Sequence, residues 1–288
     1  MSEALALEIT GLIHKYGKLT ALDDVNLALE PDRIYGLLGR NGSGKTTLLN
    51  IIAKSLFPKA GRVKMFGAEA FERPSVLNKL CYVREKNLAP PGARARDILM
   101  GCRQAYPNWD EKYARDLVGM FDLNINKKYK QLSRGMESTL GLIIGLASRA
   151  ELTVFDEPSL GLDPAARGLF YDEVRRDMDK HPRTAVISTH LIDEVSRLFD
   201  EVIIINKGRI LAFNTVEALL SGYISLTGPL ELIEGAMSGL RILRADELGG
   251  IARVISEWDG RALPDGLIAD TAPLQNVFVH MTEGDVSR

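Results

Sequence analysis

Over roughly the first 220 residues, short apolar runs alternate with segments whose apolar positions recur every three or four residues. That alternation predicts an α/β chain in which buried strands are joined by helices. Ile34 to Leu38 is the first clear strand, and Leu48, Leu49, Ile51, Ile52 and Leu56 then mark a helix that Pro58 should close. Further strands are expected over Leu80 to Val83 and over 152–155, 185–188 and 202–205. The last of these turns through Asn206-Lys207-Gly208 and returns along 209–213.

Between residues 85 and 150 the periodicity is helical, which predicts an insertion within the α/β unit. Asn108 followed by Glu111 has the form of a capping box, and Trp109, Tyr113, Leu117 and Phe121 follow at helical intervals. From Tyr223 onward the texture changes to short elements around a turn-rich stretch, 259–266. The expected division is a large domain over 1–222, with its helical insertion at about 86–150, and a small α+β domain over 223–288.

Composition changes this picture only by exclusion. Lys and Arg number 36 against 38 Asp and Glu, a formal charge of -2, which argues against a broad nucleic-acid surface. Cys81 and Cys102 have no metal-like spacing and predict no disulfide framework. The N-terminal residues lack the basic start and apolar block of a secretory signal, and no apolar run is long enough to span a bilayer. A soluble, cytoplasmic chain is therefore expected, reaching a membrane only through a partner.

Chemistry enters directly after the first strand. Gly39-Arg40-Asn41-Gly42-Ser43-Gly44-Lys45-Thr46-Thr47 matches GxxxxGK[ST] between an expected strand and an expected helix. The glycines let successive N–H groups turn inward on phosphate oxygens, and the helix adds the positive end of its dipole. Lys45 would reach the β and γ phosphates, and the Thr46 hydroxyl would ligate Mg²⁺. About a hundred residues later an apolar strand ends in Asp156-Glu157. Asp156 is placed to hold Mg²⁺, and Glu157 to act as general base on an attacking water. Together these features predict a P-loop NTPase.

Leu132-Ser133-Arg134-Gly135-Met136 resembles the LSGGQ signature of ABC-type ATPases. Ser133 also reads as the N-cap of the helix that follows, and Asp163 before Pro164 reads as another. Other family elements occur in the family's order: Tyr16 where an aromatic residue stacks on adenine, Ser159-Leu160-Gly161-Leu162-Asp163 resembling the D-loop, and His190 resembling the switch histidine. The resemblance covers roughly residues 5–220 and implies a P-loop NTPase sheet with an antiparallel β subdomain and a helical insertion. It further implies a head-to-tail dimer in which Ser133 and Gly135 face the γ-phosphate bound by the other subunit's Lys45. Three positions depart from the family pattern: Arg134 replaces a glycine, Met136 replaces Gln, and Glu85 stands where the Q-loop Gln is commoner, still able to ligate Mg²⁺.

The resemblance implies the ATP-binding, ATP-hydrolysing subunit of an ABC transporter. Its expected partners are a separate transmembrane permease, gripped by the helical insertion, and a second ATPase subunit, identical or merely similar, with no nucleic acid. Such a subunit is cytoplasmic and peripheral on the cell membrane. The segment Leu274-Gln275-Asn276-Val277-Phe278-Val279 resembles the ending of drug-, antibiotic- and sodium-export ATPase subunits, and favours export. The rival expectation is a soluble ABC-type switch acting on ribosomes or nucleic acid; such relatives usually carry two cassettes or long coiled-coil insertions, which this sequence lacks.

Overall fold

The computed structural model describes residues 4–69, 74–84 and 89–283. The chain opens with β1 (Leu7–Tyr16), β2 (Leu19–Leu29), β3 (Ile34–Leu38), α1 (Lys45–Ile52), β4 (Ala60–Met65), β5 (Ala68–Glu69), α2 (Pro74–Leu77) and β6 (Leu80–Val83). Then come α3 (Ala95–Ala105), α4 (Glu111–Met120), α5 (Arg134–Ala147), β7 (Leu152–Asp156), α6 (Pro164–Lys180), β8 (Thr184–Thr189) and α7 (Ile192–Val195). The remainder is β9 (Glu201–Asn206), β10 (Arg209–Thr215), α8 (Val216–Leu220), β11 (Tyr223–Pro229), α9 (Leu230–Ala236), β12 (Ile242–Leu248), β13 (Ile251–Glu257), β14 (Ile268–Thr271) and α10 (Leu274–Glu283).

These strands form three sheets. One is antiparallel, in the order β2-β1-β4-β5. The central sheet runs β10-β9-β3-β8-β7-β6, parallel from β9 to β6 with β10 antiparallel at its edge. Every residue of β3, β7 and β8 is buried, as expected for parallel strands covered on both faces. On one face the apolar side chains of α1 meet the antiparallel sheet; on the other, α5 and α6 close a larger core around Phe155 and Phe170. The third sheet, β12-β13-β11-β14, lies wholly after residue 222.

Helix α10 joins two of these cores. Leu274 and Phe278 sit in the large core of the central sheet, whereas Val277 packs with Ile255 and Ala272 of the third sheet's region. This follows from helical spacing: positions 274 and 278 share a stripe, and position 277 faces away from its centre.

Several local expectations are corrected. The helix α4 is capped by Asp110, whose carboxylate accepts from the Tyr113 N–H at 2.9 Å, not by Asn108. Asp110 is selected by tertiary partners: its N–H donates to the Ala147 carbonyl at 2.8 Å, and Arg149 binds its other oxygen at 2.9 Å. Trp109 consequently precedes the helix, with its indole N–H donating to Glu111 at 3.0 Å. Helix α1 stops at Ile52, before Leu56 and Pro58; Lys54 at φ 56° has already left the helical region. The β9–β10 turn matches its sequence reading, with Lys207 and Gly208 both at positive φ between the paired Asn206 and Arg209. Among the described residues no helix is long and apolar enough to cross a membrane.

Candidate active site

Strands β3, β8 and β7 are adjacent and parallel, so their carboxyl ends deliver three loops to one place. After β3 the loop 39–44 opens into α1. Its two glycines at positive φ, Gly42 at 78° and Gly44 at 113°, bend the backbone into a concave turn. Gly44 also needs to lack a side chain, because a Cβ there would lie 2.7 Å from the Ala21 carbonyl oxygen.

Lys45 at the start of α1 is buried, and its ammonium donates to the loop's own Gly39 carbonyl at 2.5 Å and Arg40 carbonyl at 3.4 Å. Burial lowers its pKa, opposed by the nearby Glu157 and Asp156 carboxylates. Ser43 is also buried, and its hydroxyl oxygen has no hydrogen-bond partner. An inward-turned backbone, a buried ammonium and an orphaned hydroxyl make a polar cradle whose unmet bonding capacity suits phosphate oxygens.

The carboxylates arrive from β7. Asp156 is buried and accepts from the Ser188 hydroxyl at 2.6 Å, with the Tyr82 hydroxyl at 3.4 Å from its other oxygen. Glu157 follows with φ 51°, a left-handed conformation costing about 1–3 kcal/mol for a non-glycine residue. Ser188 holds that turn: the Glu157 N–H donates to its hydroxyl at 3.0 Å and to its carbonyl at 3.2 Å. The Glu157 side chain meets His190 Nδ1 at 2.7 Å. Burial raises the Glu157 pKa, and the His190 and Lys45 charges pull it back down.

Tyr16, residues 40–47, Asp156 and Glu157 line one cleft of about 390 Å³. Tyr16 is half exposed at its rim and makes an edge-on ring contact with His14 at 4.8 Å. Gly39 and His190 share the adjoining cleft of about 490 Å³ with Arg40 and Asn41. Thus the first strand's loop, both carboxylates, His190 and Tyr16 converge. Ser133 and Gly135 do not line either cleft; they lie at the N-terminus of α5, where the Ser133 hydroxyl accepts from the Met136 N–H at 3.3 Å. Glu85 lies outside the described residues.

Thr46, exposed in the cleft, and Asp156 offer hard oxygen donors of the kind Mg²⁺ takes. Among the described residues no cluster of three or more His, Cys, Asp or Glu forms an all-protein metal cage. A hydroxyl plus a carboxylate beside a phosphate cradle would suit Mg²⁺, which is commonly bound by few protein oxygens together with phosphates and water.

Two elements were invisible to the sequence reading. Ser188 entered it only as a strand end, although it bonds both Asp156 and the Glu157 backbone. Ser138, one turn into α5, donates to the Leu160 carbonyl at 2.6 Å and so ties the signature segment to the D-loop segment of the same chain. A Cβ on Gly135 would lie 2.6 Å from the Gly161 carbonyl oxygen, so this contact is backbone against backbone.

A phosphate-binding loop at the carboxyl end of a parallel strand, with a carboxylate pair ending a strand of the same sheet, defines a P-loop ATPase. The comparisons narrow the class. Residues 22–160 match the family model described as ABC transporter. The ABC transporter ATP-binding protein YtrB of Bacillus subtilis (strain 168) is 28% identical over 205 residues, 71% of this chain and 70% of that protein. The daunorubicin/doxorubicin resistance ATP-binding protein DrrA of Streptomyces peucetius is 30% identical over 223 residues, 75% of this chain and 67% of its own length. The Nod factor export ATP-binding protein I of Burkholderia orbicola (strain AU 1054) is 30% identical over 218 residues, covering 73% and 71%. A solved ATP-binding subunit of an ABC transporter superposes with TM-score 0.68 at 24% identity over 75% of this chain and 92% of its own, a likeness of fold. The chain belongs to the family of ABC transporter ATP-binding proteins.

Proposed function

We propose that this ATPase powers export through a separate membrane-spanning permease, working as a dimer on the cytoplasmic face of the membrane. The convergence of the 39–47 loop with Asp156, Glu157 and His190 carries the ATPase part of this reading. Export is favoured by similarity to relatives named for drug resistance, bacitracin transport and Nod factor export.

In this reading the loop N–H groups and Lys45 bind the β and γ phosphates, and Tyr16 stacks on adenine at the cleft rim. Thr46 and Asp156 would hold Mg²⁺, as would Glu85, which the sequence placed in that role; the ion neutralises charge on the phosphates. Ser188 orients Asp156 and supports the strained turn that aims Glu157. Glu157, with its pKa raised by burial, takes the proton of the attacking water, and His190 anchors its carboxylate. Ser133 and Gly135 present an N-cap hydroxyl and a helix N-terminus to the γ-phosphate held by a second ATPase subunit, so ATP closes the dimer and its hydrolysis releases it. The helical insertion at about 86–150 passes that motion to the permease, and residues 223–288 form an accessory domain.

The test is affinity purification of tagged Glu157→Gln protein with MgATP from detergent-solubilised native cells. Stoichiometric recovery of a multi-span membrane protein is the expected result. Recovery of ribosomal proteins or nucleic acid, with no membrane chain, would overturn the transporter assignment while leaving the ATPase intact.

A further inference from the structure

Strand β12 is one of the two edges of the third sheet and, among the described residues, pairs only with β13. It is exposed along most of its length, and Leu248 at its end is 87% exposed beside Ile251 at 57%. Charged residues on an edge strand ordinarily keep it from pairing, and the Arg244–Asp246 pair at 2.7 Å fits that purpose. Two bare aliphatic side chains at the tip of the same edge do not.

The register resolves what the edge is suited to. Gly249 and Gly250 are both at positive φ, 61° and 81°, so β12 and β13 join through a two-residue turn flanked by the paired Leu248 and Ile251. In such a hairpin that flanking pair exchanges ladder hydrogen bonds, and the bonding direction alternates along the strand. The backbone groups of Leu248, Asp246 and Arg244 therefore turn toward β13, and those of Glu247 and Ala245 turn outward. A second β12 can add antiparallel only about a two-fold axis perpendicular to the sheet, which keeps each face on its own side and opposes only residues of equal parity. Centring that axis on Arg244 or Asp246 sets identical charges against one another. Centring it on Ala245 sets Arg244 opposite Asp246 of the second copy, twice, and uses the outward-facing groups of a small residue. The same register carries Leu248 toward the start of the second strand, where Ile242, 50% exposed, lies beyond a register shift between Ile242 and Arg244.

We propose that β12 is a homodimerisation edge, pairing antiparallel with β12 of a second copy of this chain through a two-fold centred on Ala245. This interface is separate from the nucleotide cleft and needs no ATP.

Sedimentation equilibrium of the full-length protein, with chelator and without nucleotide, tests it from about 1 to 100 µM. The wild type should shift from monomer toward dimer over this range. Arg244→Asp alone places Asp opposite Asp, and Asp246→Arg alone places Arg opposite Arg, so each should weaken association about tenfold or more. Mixed in equal amounts, the two variants face one another with opposite charges at both positions, and dimer should return although neither chain has its internal Arg244–Asp246 pair. A far-UV circular dichroism spectrum and a thermal unfolding transition matching the wild type's report that each variant is folded, the third sheet included. A wild type that stays monomeric throughout, or folded variants that fail to associate on mixing, would overturn the proposal.

Discussion

The Ser138 hydroxyl donates to the Leu160 carbonyl at 2.6 Å, across 22 residues of sequence. With the backbone of Gly135 packed against Gly161, this bond makes the start of α5 and the segment after Glu157 one mechanical unit. In the head-to-tail dimer proposed above, Ser133 and Gly135 at one nucleotide would then report the state of Glu157, the proposed base, at the other.

Gly161→Ala tests that unit. Gly161 has φ 83°, and a Cβ there would lie 2.9 Å from the Arg134 side chain and 3.0 Å from the Gly135 nitrogen. Stability should fall by about 1–3 kcal/mol, from backbone strain and crowding together. Equilibrium ATP binding by the isolated subunit should persist while steady-state ATPase activity drops, as nucleotide titration and phosphate release would show.

Glu157→Gln should lower ATP turnover by about 10²–10⁴-fold if Glu157 is the general base. The same change should stabilise the nucleotide-free protein. A carboxylate whose folded pKa is raised has an ionised form that the fold disfavours, so above that pKa it subtracts stability, and protonation on lowering the pH restores it. The amide removes that cost, and calorimetry near pH 7 should give a higher Tm than the wild type. Unchanged turnover would remove Glu157 from the mechanism.

His190→Ala removes a group that pulls the Glu157 pKa down. The Glu157 carboxyl should then titrate at higher pH than in the wild type, measured by carbon NMR of labelled glutamate. A shift to lower pH would contradict the 2.7 Å contact as the relevant interaction.

Ser188→Ala deletes the donor to Asp156 and one acceptor of the Glu157 N–H. Stability should decrease by about 1–3 kcal/mol, because a buried carboxylate loses a charge-assisted bond. If Asp156 holds Mg²⁺ as proposed, affinity for ATP with Mg²⁺ should weaken more than affinity for ATP with chelator, since only the former would use Asp156. Parallel titrations by isothermal calorimetry separate the two.

Much of the candidate site was legible because its chemistry is written in consecutive residues. The loop 39–47 needs glycines, a lysine and a hydroxyl at fixed short spacing, and backbone geometry does the rest. Ser133 and Asp163 were legible as caps for the same reason: each accepts from an N–H three residues ahead, at Met136 and Ala166. The cap of α4 was misplaced: local spacing pointed to Asn108, and the partners that hold Asp110 in that role, Ala147 and Arg149, lie far along the chain.

The chain's sequence by itself determined the α/β class, the phosphate loop and the strand ending in Asp156-Glu157, since each rests on periodicity or short spacing, and it carried the family through the resemblance of its motifs. Only the tertiary structure decided that Ser188 reaches Asp156 across 32 residues, that His190 reaches Glu157 across 33, and that Leu274 and Phe278 of α10 enter the central core. The first two contacts depend on the pairing of β7 with β8, and the third on where α10 docks. Both are set by the burial of whole faces, a property of the assembled sheet that no short stretch of sequence contains.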